Sequence, residues 1–132
     1  MIIDEFFVKR WTITILYECT CDDIEEIIKT LMDIKCPIKY IQEALNNLKT
    51  CNLNIGLTYS NTRLQSSVIV VNKTSSFSQL INTIAHEYYH LICHISKVLE
   101  IEDEEELAYL NGNLNMRSYN IVKKLENKVG SE

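Results

Sequence analysis

Three glycines and one proline are all that interrupt a chain of 132 residues. Long stretches of regular structure follow, and a disordered or low-complexity chain is excluded. An excess of basic residues is also missing, since 13 Lys and Arg stand against 18 Asp and Glu, for a net charge of −5. No predicted face gathers enough cations to track a phosphate backbone, so nucleic acid is not an expected partner. No apolar run approaches the ~20 residues of a spanning helix, and Asp4, Glu5, Lys9 and Arg10 interrupt any signal-peptide core. The expectation is a soluble chain made in a cytoplasm, with no membrane partner. Cysteine is present but unpaired by motif: Cys19 and Cys21 form a C-x-C with no second pair, and the total of five is odd. This argues against a four-cysteine zinc site and makes reduced thiols the expected state.

What is present is 46% apolar and 23% charged, enough for one core, so residues 1–132 are read as a single domain. Residues 5–18, "EFFVKRWTITILYE", alternate around Trp11, Ile13, Ile15 and Tyr17 and predict one strand. Asp22 or Asp23 then offers an N-cap to a helix carrying Ile24, Ile27, Ile28 and Leu31 at helical spacing. Pro37 opens a second helix, with Ile38, Ile41, Leu45 and Leu48 as its apolar face. Residues 53–59 and 63–72 predict two strands joined by a turn near Ser60, Asn61 and Thr62. Ser76 with Gln79 forms a capping box for a helix to about Leu99, and Asp103 with Glu106 starts a last helix to about Glu126. The expected order is β-α-α-β-β-α-α, an α+β domain.

The long helix carries "HEYYH". His86 and His90 are one turn apart on the same face, so both imidazoles can reach one Zn²⁺ at ~2.0–2.1 Å. Glu87, one residue round the helix, can meet a water at the ion without binding the ion itself, as a general base must. Phe77, Leu80, Ile81, Ile84, Tyr88, Leu91, Ile95 and Leu99 form the apolar stripe, and the two histidines lie nearly opposite it. The competing explanation is therefore a plain solvated helix face. A catalytic zinc site needs a third protein ligand, and "EIEDEEELAYLNG" supplies acids at the start of the last helix. Glu105 is preferred because its face continues through Ala108, Gly112 and Met116, where the small residues would let the two helices approach. Helix-dipole stabilisation accounts for Asp103, Glu104 and Glu106. His94 is eight residues from His86, about 12 Å along a straight helix, so the pair cannot share one ion. A surface or supporting histidine is the expected reading there, and a partly buried thiol at Cys93. Tyr109, one turn after Glu105, is a candidate oxyanion donor whose competing explanation is packing.

With these residues in place, "HEYYH" followed by "EELAYLNG" resembles the gluzincin branch of the zincin metallopeptidases. The wider stretch over residues 66–114 is similar to small proteins encoded by tailed phages and prophages of Bacteroides-like bacteria. The resemblance implies a minimal zincin-like domain with His86, His90 and Glu105 as zinc ligands and Glu87 as general base. It also implies that "SSVIVV" is an edge strand where an extended peptide pairs by β-augmentation. No third histidine, methionine turn or second lobe is present. Two functions follow as expectations: a zinc-dependent peptidase acting on a peptide or protein, or a catalytically silent zincin-like protein that binds a partner, such as another virion protein or a host factor. The corresponding locations are the cytoplasm of a bacterial host and a phage particle.

Overall fold

The computed structural model describes residues 1–129. In chain order the elements are β1 (Ile2–Val8), β2 (Trp11–Cys19), a 3-10 turn at Cys21–Asp23, α1 (Ile24–Asp33), α2 (Ile38–Lys49), β3 (Gly56–Asn61), β4 (Ser66–Asn72), α3 (Phe77–Leu99) and α4 (Glu104–Val129). The fold is α+β, as expected from the sequence, with one four-stranded mixed sheet in the order β1-β2-β4-β3. Pairing is antiparallel between β1 and β2, parallel between β2 and β4, and antiparallel between β3 and β4.

The order of elements differs from the expectation at the N-terminus, where the single strand predicted over 5–18 is a hairpin. Val8 pairs with Trp11, leaving Lys9 and Arg10 as a two-residue loop in which Lys9 takes φ 58°. The loop contains neither Gly nor Asn, the usual residues of such turns, so the turn chemistry was silent. A phase change in the apolar pattern does mark it. Phe6 points inward from an even position, whereas Trp11, Ile13, Ile15 and Tyr17 point inward from odd ones, and a strand cannot change phase without a turn or bulge.

Helices cover both faces of the sheet. On one face Trp11, Ile13, Ile15, Tyr17, Ile69 and Val71 pack with Leu80, Ile84, Tyr88, Leu91 and Ile95 of α3 and Leu110, Leu114 and Leu125 of α4. On the other, Leu16, Cys19, Val68 and Val70 meet Ile27 and Leu31 of α1 and Ile41, Ala44 and Leu48 of α2. Strand β4 therefore buries both its faces, which is why "SSVIVV" reads as a continuous apolar run. It is a central strand, and the expectation that it forms the edge is corrected: the edges are β1 and β3.

α4 is fastened to the β1 side. Arg117 donates to both carboxylate oxygens of Asp4, at 2.8 and 3.2 Å, with its guanidinium 5.1 Å from the Phe6 ring centre. Lys9 bonds Glu106 at 3.0 Å. α3 lies toward the opposite edge, against β3. No helix among the described residues is long and apolar enough to cross a membrane.

The thiols are not all reduced as expected. The α1–α2 hairpin returns the chain to the end of β2, and there Cys21 and Cys51 form a disulfide across a sequence separation of 30. Closing a loop of that length stabilises a fold by about 3–4 kcal/mol through restriction of the unfolded chain. Cys19, Cys36 and Cys93 remain free. Denatured but unreduced protein should thus titrate three thiols per chain with a disulfide reagent, and reductant should lower the stability measured by urea unfolding by about 3 kcal/mol. Five thiols before reduction would show that the bridge is not formed.

Candidate metal centre

Helix α3 begins at Ser76, whose hydroxyl accepts from the Gln79 amide at 3.2 Å. It ends in a left-handed cap at Glu100, φ 54°, whose amide bonds the Ser96 carbonyl. Within it Leu80, Ile84, Tyr88, Leu91 and Ile95 face the core, and the helical period turns His86 and His90 outward. The two rings meet edge to face, with their Nε2 atoms 3.2 Å apart. That separation is a hydrogen-bond distance between the two rings, and it is also close to the roughly 3.3 Å between two ligands of a tetrahedral ion at ~2.0–2.1 Å.

Glu87 behaves differently from its neighbours. It is only 4% exposed, because its flank of the helix meets the edge strand β3. The Thr58 hydroxyl donates to its Oε1 at 2.8 Å, and its Oε2 lies 3.9 Å from His86 Nε2. Gly56 makes room for this carboxylate. A Cβ there would come within 2.6–2.9 Å of the Glu87 side chain, closer than unbonded carbon and oxygen atoms approach. A depression of about 260 Å³ opens beside the pair, lined by Asn54, Ile55, Gly56, Asn82, Thr83, His86 and Glu87.

Further along the same flank His94 is half-buried, its Nδ1 2.6 Å from the Ser60 hydroxyl. Burial first, and then the charges of His90 and Lys97, hold its pKa below the ordinary histidine value. Cys93 is an exposed free thiol rather than a partly buried one. The residues that sequence reasoning missed are Gly56, Thr58 and Ser60. Each sits at an even position of β3 and touches Glu87 or His94. Their only signal was an alternation of small and hydroxylic residues in a strand otherwise without a role.

Glu105 is not brought to this group. It is exposed in the first turn of α4, and α3 ends at Leu99, nine residues or about 13 Å along the axis from His90. The face expected to let the helices approach is solvent-facing: Met116 is 72% exposed, and a Cβ on Gly112 would meet nothing within 4 Å. α4 packs instead through Leu110, Leu114, Ser118 and Leu125. Since α4 is tied to β1 and the flank of α3 that carries Glu87 and His94 bonds to β3, the two stand over opposite edges of the sheet. Tyr109 goes with α4 and lines a groove with Phe6, Phe7 and Lys9. Among the described residues no group of three or more His, Cys, Asp and Glu side chains is placed to hold a metal ion.

Comparison with protein-family models, characterised proteins and solved structures finds no match to this chain.

Gly56→Ala tests the packing of the centre. Glu87 is held by Thr58 and enclosed, so the methyl group forces it out of place. The expected cost is about 1–3 kcal/mol by thermal or urea unfolding. A variant as stable as the parent would mean that Glu87 does not occupy this position.

Proposed function

We propose that the protein binds zinc through His86 and His90 and hydrolyses a peptide bond with Glu87 as general base, in a minimal zincin-like domain. The observation that carries this reading is the 3.2 Å separation of the two Nε2 atoms on an exposed face, beside a carboxylate held in place from behind by Thr58. His86 and His90 would hold the ion, one protein ligand short of the three that a catalytic zinc takes, because Glu105 stands outside the site. A zinc ion held there supplies a Lewis acid that polarises a carbonyl and increases the acidity of water. Glu87 contributes the proton transfers: its Oε2 takes a proton from the attacking water and delivers it to the departing amine nitrogen. Thr58, bonded to Oε1, keeps that second oxygen turned toward the histidines. The substrate is a peptide or protein, and the resemblance to phage-encoded proteins supports a setting in the cytoplasm of a bacterial host.

The burial of Glu87, and the lack of a wall around the shallow depression, favour a second reading. In it the same ion is a staple for a small domain that binds a protein partner, such as another component of a phage particle or a host factor.

Elemental mass spectrometry on protein loaded with zinc and desalted should find about one zinc per chain. His86→Ala and His90→Ala should lose it, and Glu105→Ala should keep it. Glu87→Gln should retain zinc and abolish cleavage of an unstructured protein substrate such as casein. Zinc bound with no cleavage by the parent would select the second reading. No zinc in the parent would refute both.

A further inference from the structure

Strand β1 lies at the outside of the sheet and pairs on one side only, with β2. Its neighbour fixes the phase of its unpaired groups. The Thr12 amide of β2 donates to the Gln65 carbonyl on the β4 side, so the amides of Trp11, Ile13 and Ile15, on alternate residues, turn toward β1. Opposite them stand Val8, Phe6 and Asp4, which complete the ladder. Ile3, Glu5 and Phe7 lie between and point their N–H and C=O groups away from the sheet. Among the described residues none of the three has another backbone partner.

Proteins blunt such an edge with Lys or Pro, with a bulge or with a covering element. β1 runs for seven residues in unbroken register with β2 and contains neither Lys nor Pro. The residues with open backbone groups are also apolar and accessible: Ile3 is 51% and Phe7 72% exposed. Their side chains lie on the α1–α2 face of the sheet, opposite Leu16 and Thr12, and the core that those helices cover takes in no residue of β1. On the other face a groove of about 440 Å³ runs between the strand and α4, with Phe6, Tyr109 and Asn113 in its walls. An added strand would therefore find an apolar shelf under one of its faces and a groove under the other.

Glu5 stands between Ile3 and Phe7, exposed and without an ion pair among the described residues, whereas Arg117 holds Asp4 and Lys9 holds Glu106. We infer that β1 is a docking edge for an extended segment of another protein. The segment adds as a fifth, antiparallel strand and sets a Lys or Arg, flanked at alternate positions by apolar residues, against Glu5. A second copy of this chain fits less well. Pairing β1 with itself over its full length about a two-fold axis puts Glu5 opposite Glu5, and like charges directly opposite destabilise a sheet. The net charge of −5 repels another copy and attracts a basic segment. None of this depends on the metal-binding reading, whose residues face the β3 edge.

The test uses ¹⁵N-labelled protein at low salt and a synthetic peptide, capped at both ends, in which threonine alternates with valine, lysine and valine. At millimolar peptide the amides of Ile3, Glu5 and Phe7 should shift and exchange more slowly with solvent, while those of His86 and His90 stay in place. Glutamate in place of the peptide's lysine should weaken binding about tenfold, and Glu5→Lys should reverse that preference. N-methylation of the valines and the lysine, whose amides face β1 in antiparallel pairing, should abolish binding, and N-methylation of the threonines between them should leave it. Absence of binding, equal binding of the lysine and glutamate peptides, or methylation that acts alike at both sets of positions would overturn the inference. A peptide-free dimer in which the Ile3, Glu5 and Phe7 amides are already protected would give the edge to a second copy and overturn it as well.

Discussion

Parallel pairing of β2 with β4 puts two strands with largely apolar faces at the centre of the sheet, and the remaining elements are arranged around that contact. Two parallel strands cannot be joined by a tight turn, so the chain between them must cross a face of the sheet. α1 and α2 make most of that crossing and β3 completes it, entering β4 from the outer side. The opposite face is left to α3 and α4, whose apolar residues join Trp11, Ile13, Ile15 and Tyr17 in the larger core cluster. The hairpin partner β1 takes one edge and β3 the other, so that α4 follows the β1 edge and α3 the β3 edge.

The histidine face acquires its chemistry from the β3 edge. A carboxylate as buried as Glu87 must be compensated, and a hydrogen bond to a charged group contributes only about 1.5–3 kcal/mol, whereas taking an ion out of water costs several. Thr58 provides the side-chain hydrogen bond, and His86 stands 3.9 Å from the other oxygen. Ser60 extends the polar seam to His94 and, through Ser67, to the core at Trp11.

How much of this was legible in the sequence varies with the range of the interaction. The start of α3 at Ser76 and its end at Leu99, the outward histidines and the inward Leu and Ile residues were all readable, because capping and helical period act within a few residues. The N-terminal hairpin was readable in principle from the phase change between Phe6 and Trp11, although its turn residues gave no cue. The central position of β4 was implied by its unbroken apolar run, but the resemblance to an edge strand pulled the reading the other way. The disulfide between Cys21 and Cys51 had no local signal, since its ends meet only when α1 and α2 fold back across the sheet.

By itself the sequence determined the α+β class, the helices, the spacing that sets His86 and His90 side by side, and the placing of Glu87 one residue round from them. Only the tertiary structure decided that Glu87 would be covered by Gly56 and Thr58, that Ser60 would hold His94, and that Glu105 would stand over the far edge of the sheet. The physical reason is that side-chain direction on a helix is set by the helix itself, whereas what lies beyond each flank depends on which strand ends up at the edge. That is settled by long-range pairing in the sheet and the burial of both its faces.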